Sequence, residues 1–230
     1  MTGTSIIARA ALMGAAVVLG SSVLAPSAWA DTLVFDLDVA NIPFTGPYIQ
    51  VTVDRTSSTT ATFTFDSLTS GGNTFLMHSN GAAAVNINAT SFTGSVVSTT
   101  NSLPGFGVPS GSFVTPGNED GFGSYNAGVD LADSFMRSAN EIVFSVTNTS
   151  GTWANVASVL TANNAGQIAA AQIGACPAPC TGSSAFLTPT GFASGFAPVP
   201  APIVGAGLPG VVLACGGLLA LARRRRQLVA

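Results

Sequence analysis

The residues predict an all-β body, built as an antiparallel β-sandwich or jelly roll, with a single transmembrane helix near the C-terminus. Three observations carry this. Apolar and polar residues alternate with period two in segment after segment between Asp31 and Ile173. Turn residues punctuate those segments, and no amphipathic helical pattern stands out. Then Ile203 to Ala222 runs for 20 residues without a charge, which at 1.5 Å per residue is about 30 Å, the thickness of a bilayer core.

The strands follow in order. Leu33, Phe35, Leu37 and Val39 alternate with Val34, Asp36 and Asp38. Ile49, Val51 and Val53 alternate with Gln50, Thr52 and Asp54. Ala61, Phe63 and Phe65 alternate with threonines, and Val85, Ile87 and Ala89 alternate with Asn86 and Asn88. Ile142, Phe144 and Val146 form the last clear set. One apolar and one polar face per strand is the signature of half-solvated antiparallel sheets. Weaker patterns predict strands at Thr74–His78, Gly94–Thr99, Trp153–Leu160 and Gln167–Ile173. Pro47, Gly71-Gly72, Asn80-Gly81, Asn148–Gly151 and Asn163–Gly166 mark turns. Residues 101–128, rich in Gly, Pro, Ser and Asn, predict the longest loop.

Charge is scarce. Only 7% of the 230 residues are charged, against about 25% in ordinary soluble proteins. All seven cations are arginines, and five of them lie outside residues 31–197: Arg9 and the run Arg223, Arg224, Arg225 and Arg226. Residues 31–197 hold Arg55, Arg137 and all ten acids, a net charge of −8. Such a body cannot displace counterions from phosphates, so nucleic acid is excluded as a partner. Its polarity is hydroxyl instead: ten of the fifteen residues from Thr56 to Ser70 are Ser or Thr. Threonine is β-branched and suits strands.

The ends read as addresses. Residues 1–30 have the pattern of a secretory signal peptide: Arg9, an apolar stretch from Ala10 to Leu24, then Ala28-Trp29-Ala30. Small residues at Ala28 and Ala30 predict cleavage before Asp31. One arginine rather than a pair favours the Sec route. Residues 198–230 form a second address: Pro198-Val199-Pro200-Ala201-Pro202, the apolar run 203–222, and the arginines at 223–226. Arginines directly after a span hold that end in the cytoplasm and leave the body outside the inner membrane.

This order of a short proline motif, a span and an arginine cluster resembles the PEP-CTERM sorting signals of exported Gram-negative proteins. Val199, Pro200, Ala201 and Pro202 stand at the motif, with Ala201 where the family has Glu. The resemblance implies processing by an exosortase-like membrane peptidase and delivery to the cell surface or extracellular matrix. It also implies a link to exopolysaccharide and biofilm. The segment from about Leu68 to Trp153 is similar to uncharacterised members of that exported group, through Asn101–Phe106, Gly117–Gly123 and Thr147–Trp153. No activity comes with it.

Few residues point to chemistry, and a non-enzymatic structural or interaction role is the expectation. Cys176 and Cys180 flank Pro177-Ala178-Pro179, and an exported pair so close predicts a local disulfide. Cys215 falls in the span, as a small apolar filler. His78 is the only histidine, and the body holds no G-x-S-x-G. A hydrolase would need His78 beside a serine, or two convergent carboxylates. The literal G-x-G-x-x-G at Gly205, Gly207 and Gly210 has no strand before it and no acid after it, so no dinucleotide cofactor is expected. Gly117-Asn118-Glu119-Asp120-Gly121 predicts a solvated polar turn. Its alternative is a calcium loop in which Asn118, Glu119 and Asp120 supply oxygens, with Asp130 or Asp133. A carbohydrate- or calcium-binding module is the rival to a structural role. The nearby Phe106, Phe122 and Tyr125 are expected as plugs at the edge of the core.

Overall fold

A computed structural model describes residues 31–132 and 134–197. The predicted signal peptide, Asp133 and the sorting segment 198–230 with its transmembrane run lie outside the described residues. Among the described residues no helix is long and apolar enough to cross a membrane.

Among the described residues the fold is all-β, with antiparallel sheets and two single turns of 3-10 helix, Phe135–Arg137 and Val156–Ser158. Fifteen strands follow in chain order: β1 Asp31–Leu37, β2 Val39–Ala40, β3 Ile49–Arg55, β4 Thr60–Ser67, β5 Thr69–Ser70, β6 Asn73–Met77, β7 Ala83–Val85, β8 Phe92–Thr100, β9 Gly111–Val114, β10 Gly117–Glu119, β11 Gly123–Tyr125, β12 Ala127–Leu131, β13 Glu141–Asn148, β14 Gln167–Pro177 and β15 Leu187–Phe196. The first sheet has the order β1-β3-β4-β13-β8. The second has the order β2-β15-β14-β7-β12-β9, with β6 on β14 and β5 on β6. β10 and β11 make a separate hairpin.

Register places the apolar residues of the first sheet in rows. Leu33 faces Val53, Val53 faces Phe63, Phe63 faces Phe144, and Phe144 faces Val96. Phe35, Val51, Phe65 and Ile142 form the next row. Because side chains alternate in direction, one register turns all of them to the same side. There they meet Ala83, Val85, Val129, Ala169, Ala171 and Ile173 of the second sheet in one buried cluster. Phe63 and Phe144 stack at 4.9 Å, and Phe113 of β9 reaches across to Phe144 at 6.1 Å. Gly94 of β8 makes that reach possible, since a Cβ there would overlap the Phe113 ring.

β14 is buried on both faces, which explains its apolar run where the other strands alternate. Tyr125 packs with Ala84 and Ala170. Leu76, Cys176 and Cys180 pack with Leu103, Phe106, Phe135 and Phe186. A disulfide joins Cys176 to Cys180, with Cα atoms 5.5 Å apart. So short a loop restricts the unfolded chain little. Cys176→Ser with Cys180→Ser should cost about 2 kcal/mol, read as the shift in urea midpoint between the variant and the oxidised protein.

Three sequence expectations about strands are corrected. Trp153–Leu160 is not a strand. Asn155 caps a 3-10 turn by accepting from the Ser158 N–H at 3.0 Å while its own N–H donates to Ser158 Oγ at 3.2 Å. The Trp153 indole N–H donates to the Asn88 carbonyl at 2.8 Å. Trp153, Val156, Val159 and Leu160 thereby join the main core from outside the sheets. The span 101–128 is not one loop either, for it holds β9, β10, β11 and the start of β12. Its glycines and prolines separate strands of three to five residues, too short to show a period. In addition, the strand expected at Val85–Ala89 ends at Val85, where the Asn126 side chain takes over by accepting from the Ile87 N–H at 2.7 Å.

The N-terminal strand is locked by a charge. Arg55 donates Nε–H to Asp31 Oδ1 at 2.6 Å, and the Val156 N–H donates to Asp31 Oδ2 at 2.6 Å. The Arg55 side chain is 10% exposed and that of Asp31 32%. Removing one partner of a fully buried pair costs about 3–5 kcal/mol; with Asp31 a third exposed, Asp31→Ala should cost about 2 kcal/mol. Chemical denaturation checks this, and Asp31→Asn, which keeps an acceptor, should cost less.

Candidate functional site

A cleft of about 620 Å³ opens where the turn after β6 meets β10, β12, β14 and β15. His78, Ser79, Asn80 and Gly81 form one wall, with Asn118, Glu119 and Asp130 opposite. Pro116, Gln172, Thr190 and Phe192 complete the lining.

The sequence builds the wall through Ser79-Asn80-Gly81. Ser79 has φ +59°, the only non-glycine among the described residues with positive φ, and Gly81 has φ +69°. Neighbouring strands pin the turn. The Leu131 N–H donates to the Ser79 carbonyl at 2.9 Å, and the Gln172 N–H donates to the Gly81 carbonyl at 2.8 Å. With its amide turned so that the nitrogen faces the carbonyls beside it, the Gln172 side chain donates to the Asn80 carbonyl at 2.7 Å. His78 Nδ1 and Ser79 Oγ are 2.9 Å apart, and the imidazole lies 4.7 Å from the Phe186 ring.

Gly81 also sets the acids. Its N–H donates to Asp130 Oδ1 at 2.7 Å. The Glu119 carboxylate lies over its Cα, in the space a side chain would fill. Only a glycine allows both the turn and that approach. Glu119 is 3% exposed, and no donor among the described residues hydrogen-bonds its carboxylate. Burial, with the charge of Asp130 added, pushes its pKa up from 4.5 to about 7. Burial raises the Tyr125 phenol as well, and Glu119 contributes to that rise.

The expected solvated turn at Gly117–Gly121 is therefore corrected. β10 carries Glu119 inward, and its carbonyl accepts from the Phe122 N–H at 2.8 Å to close the hairpin. Asn118 lines the cleft, but Asp120 does not. Asp120 is exposed, and its carbonyl accepts from Asn41 Nδ2 at 3.2 Å. Asp130 joins Glu119, while Asp133 lies outside the described residues. Phe122 and Tyr125 are buried and Phe106 packs beside the disulfide, so none of the three presents an open ring face. Sequence reasoning had no reason to single out Gly81, Asn80 or Gln172; the Asn80-Gly81 dipeptide announced the turn but not its neighbours.

The cleft thus gathers two carboxylates, a His–Ser pair and several amides. No group of three His, Cys, Asp or Glu that would hold a metal forms among the described residues. No protein-family model, curated protein or solved structure matches this chain.

Proposed function

We propose that this chain is exported by the Sec route, held in the inner membrane by residues 203–222, and then sorted to the cell surface or extracellular matrix. There its body, a β-sandwich of residues 31–197, has a structural or interaction role. The closed Cys176–Cys180 bridge carries the reading, because disulfides persist in oxidising compartments and are rare in the cytosol. The clamp on Asp31 supports it too: the residue after Ala30 is already part of the folded body. The tail's partners on this reading are the membrane and an exosortase-like peptidase acting near Val199–Pro202, with Arg223–Arg226 as the inner anchor. The body's partner is exopolysaccharide, which a surface of hydroxyls and amides with little charge suits.

Protease treatment of intact cells of the native host, followed with an antibody to the body, tests this. Digestion of the body in unbroken cells is the expected result. Full protection until the cytoplasm is opened would overturn it.

One observation favours a second reading, a secreted hydrolase: His78, Ser79, Glu119 and Asp130 line the same cleft. Turnover of ester or glycoside substrates that both Ser79→Ala and Glu119→Gln abolish would establish it. No turnover by the wild type would remove it.

A further inference from the structure

We infer that the cleft is a calcium site, in which Glu119 and Asp130 supply carboxylate oxygens and Asn80, Asn118 and water complete the shell. The inference is independent of where the protein is exported.

Glu119 carries an unanswered charge. It is 3% exposed, no donor among the described residues hydrogen-bonds its carboxylate, and the charge that acts on it is that of another acid, Asp130. Burying an anion beside an anion is unfavourable unless a cation or a proton joins them. The body has no lysine and only two arginines. Arg55 is committed to Asp31, and Arg137 is exposed and does not line the cleft. No residue of the cleft is Lys or Arg.

The cleft also holds the two acids in place. Gly81 leaves open the space that the Glu119 carboxylate occupies and donates its N–H to Asp130. One backbone residue, in a left-handed conformation, thus positions both acids. The turn that presents it is held from β12 and β14.

The donor set selects the ion. The cleft offers carboxylate, amide and hydroxyl oxygens with a single imidazole, and both cysteines of the body are closed in the disulfide. Oxygen ligands of this kind suit a hard cation rather than zinc or copper. Neutral oxygens on turns tolerate the larger, irregular shell of Ca²⁺ better than the strict octahedron of Mg²⁺. Two carboxylates predict weak binding, with Kd on the order of 10⁻⁴–10⁻³ M, the range of extracellular calcium modules.

The test is a thermal-shift titration of the detergent-solubilised full chain, freed of metal, at pH 8. The wild type should gain several degrees between 0.1 and 10 mM CaCl₂, a window that spans the expected Kd of roughly 10⁻⁴–10⁻³ M. It should gain less in MgCl₂. Glu119→Gln should melt no lower than the metal-free wild type and should lose the calcium shift. Asp130→Asn, which keeps an acceptor for Gly81, should lose it too and serves if Glu119→Gln does not fold. A wild type with no shift at 10 mM CaCl₂, or variants that keep the full shift, would overturn the inference.

Discussion

Replacing Phe144 by alanine should cost about 3–5 kcal/mol, the largest single loss expected in this body. Phe144 is fully buried at the middle of the first sheet. It stacks on Phe63 at 4.9 Å and lies within 6.0 Å of Phe65 and 6.1 Å of Phe113, counted between ring centroids. Phe113 belongs to the opposite sheet, so the ring ties the two sheets together. Truncation opens a cavity that the rigid rows of β4 and β13 cannot close, which adds a cavity term to the lost transfer energy. Phe144→Leu keeps most of the volume and should cost less than half as much. Urea denaturation of the two variants checks both. Equal costs would show that cross-sheet contact with the ring is not what holds this region.

The second large effect is a loss of stability on going from acid to neutral pH. Glu119 has a folded pKa of about 7 against an ordinary 4.5, so the folded chain holds this proton more tightly than the unfolded chain. The resulting stabilisation is fully present below pH 4.5 and is lost as pH rises through 7. At 1.36 kcal/mol per unit, the loss approaches roughly 3 kcal/mol. Asp66 is raised as well, by burial and by Glu141, and acts in the same direction. The difference between wild type and Glu119→Gln therefore isolates Glu119. In metal-free buffer the wild type should lose stability between pH 5 and 8 more steeply than the variant. Parallel slopes would mean that Glu119 is ionised and solvated in the folded state.

The sheets were legible where one face is buried and the other wet. β1, β3, β4 and β13 announce themselves because their burial alternates residue by residue. β10 and β11 were not legible, since three residues between glycines carry no period. The 3-10 turn at Val156–Ser158 was hidden for another reason. Its apolar residues imitate a strand, and only the capping by Asn155 and the Asp31 carboxylate decides against one. The candidate site was half legible. Asn118 and Glu119 were marked by their loop, but Asn-Glu-Asp-Gly reads as solvent-facing. The burial of Glu119 depends on Gly81 and Asp130, brought together by strand pairing rather than by spacing. The Asp31–Arg55 clamp was invisible for the same reason.

Export and processing of this chain are checked by its intact mass after isolation from the native host. A chain that begins at Asp31, carries the Cys176–Cys180 bridge, ends near Pro200 and is recovered outside the inner membrane is expected. A chain running from Met1 to Ala230 with both thiols free, recovered from the cytosol, would contradict it.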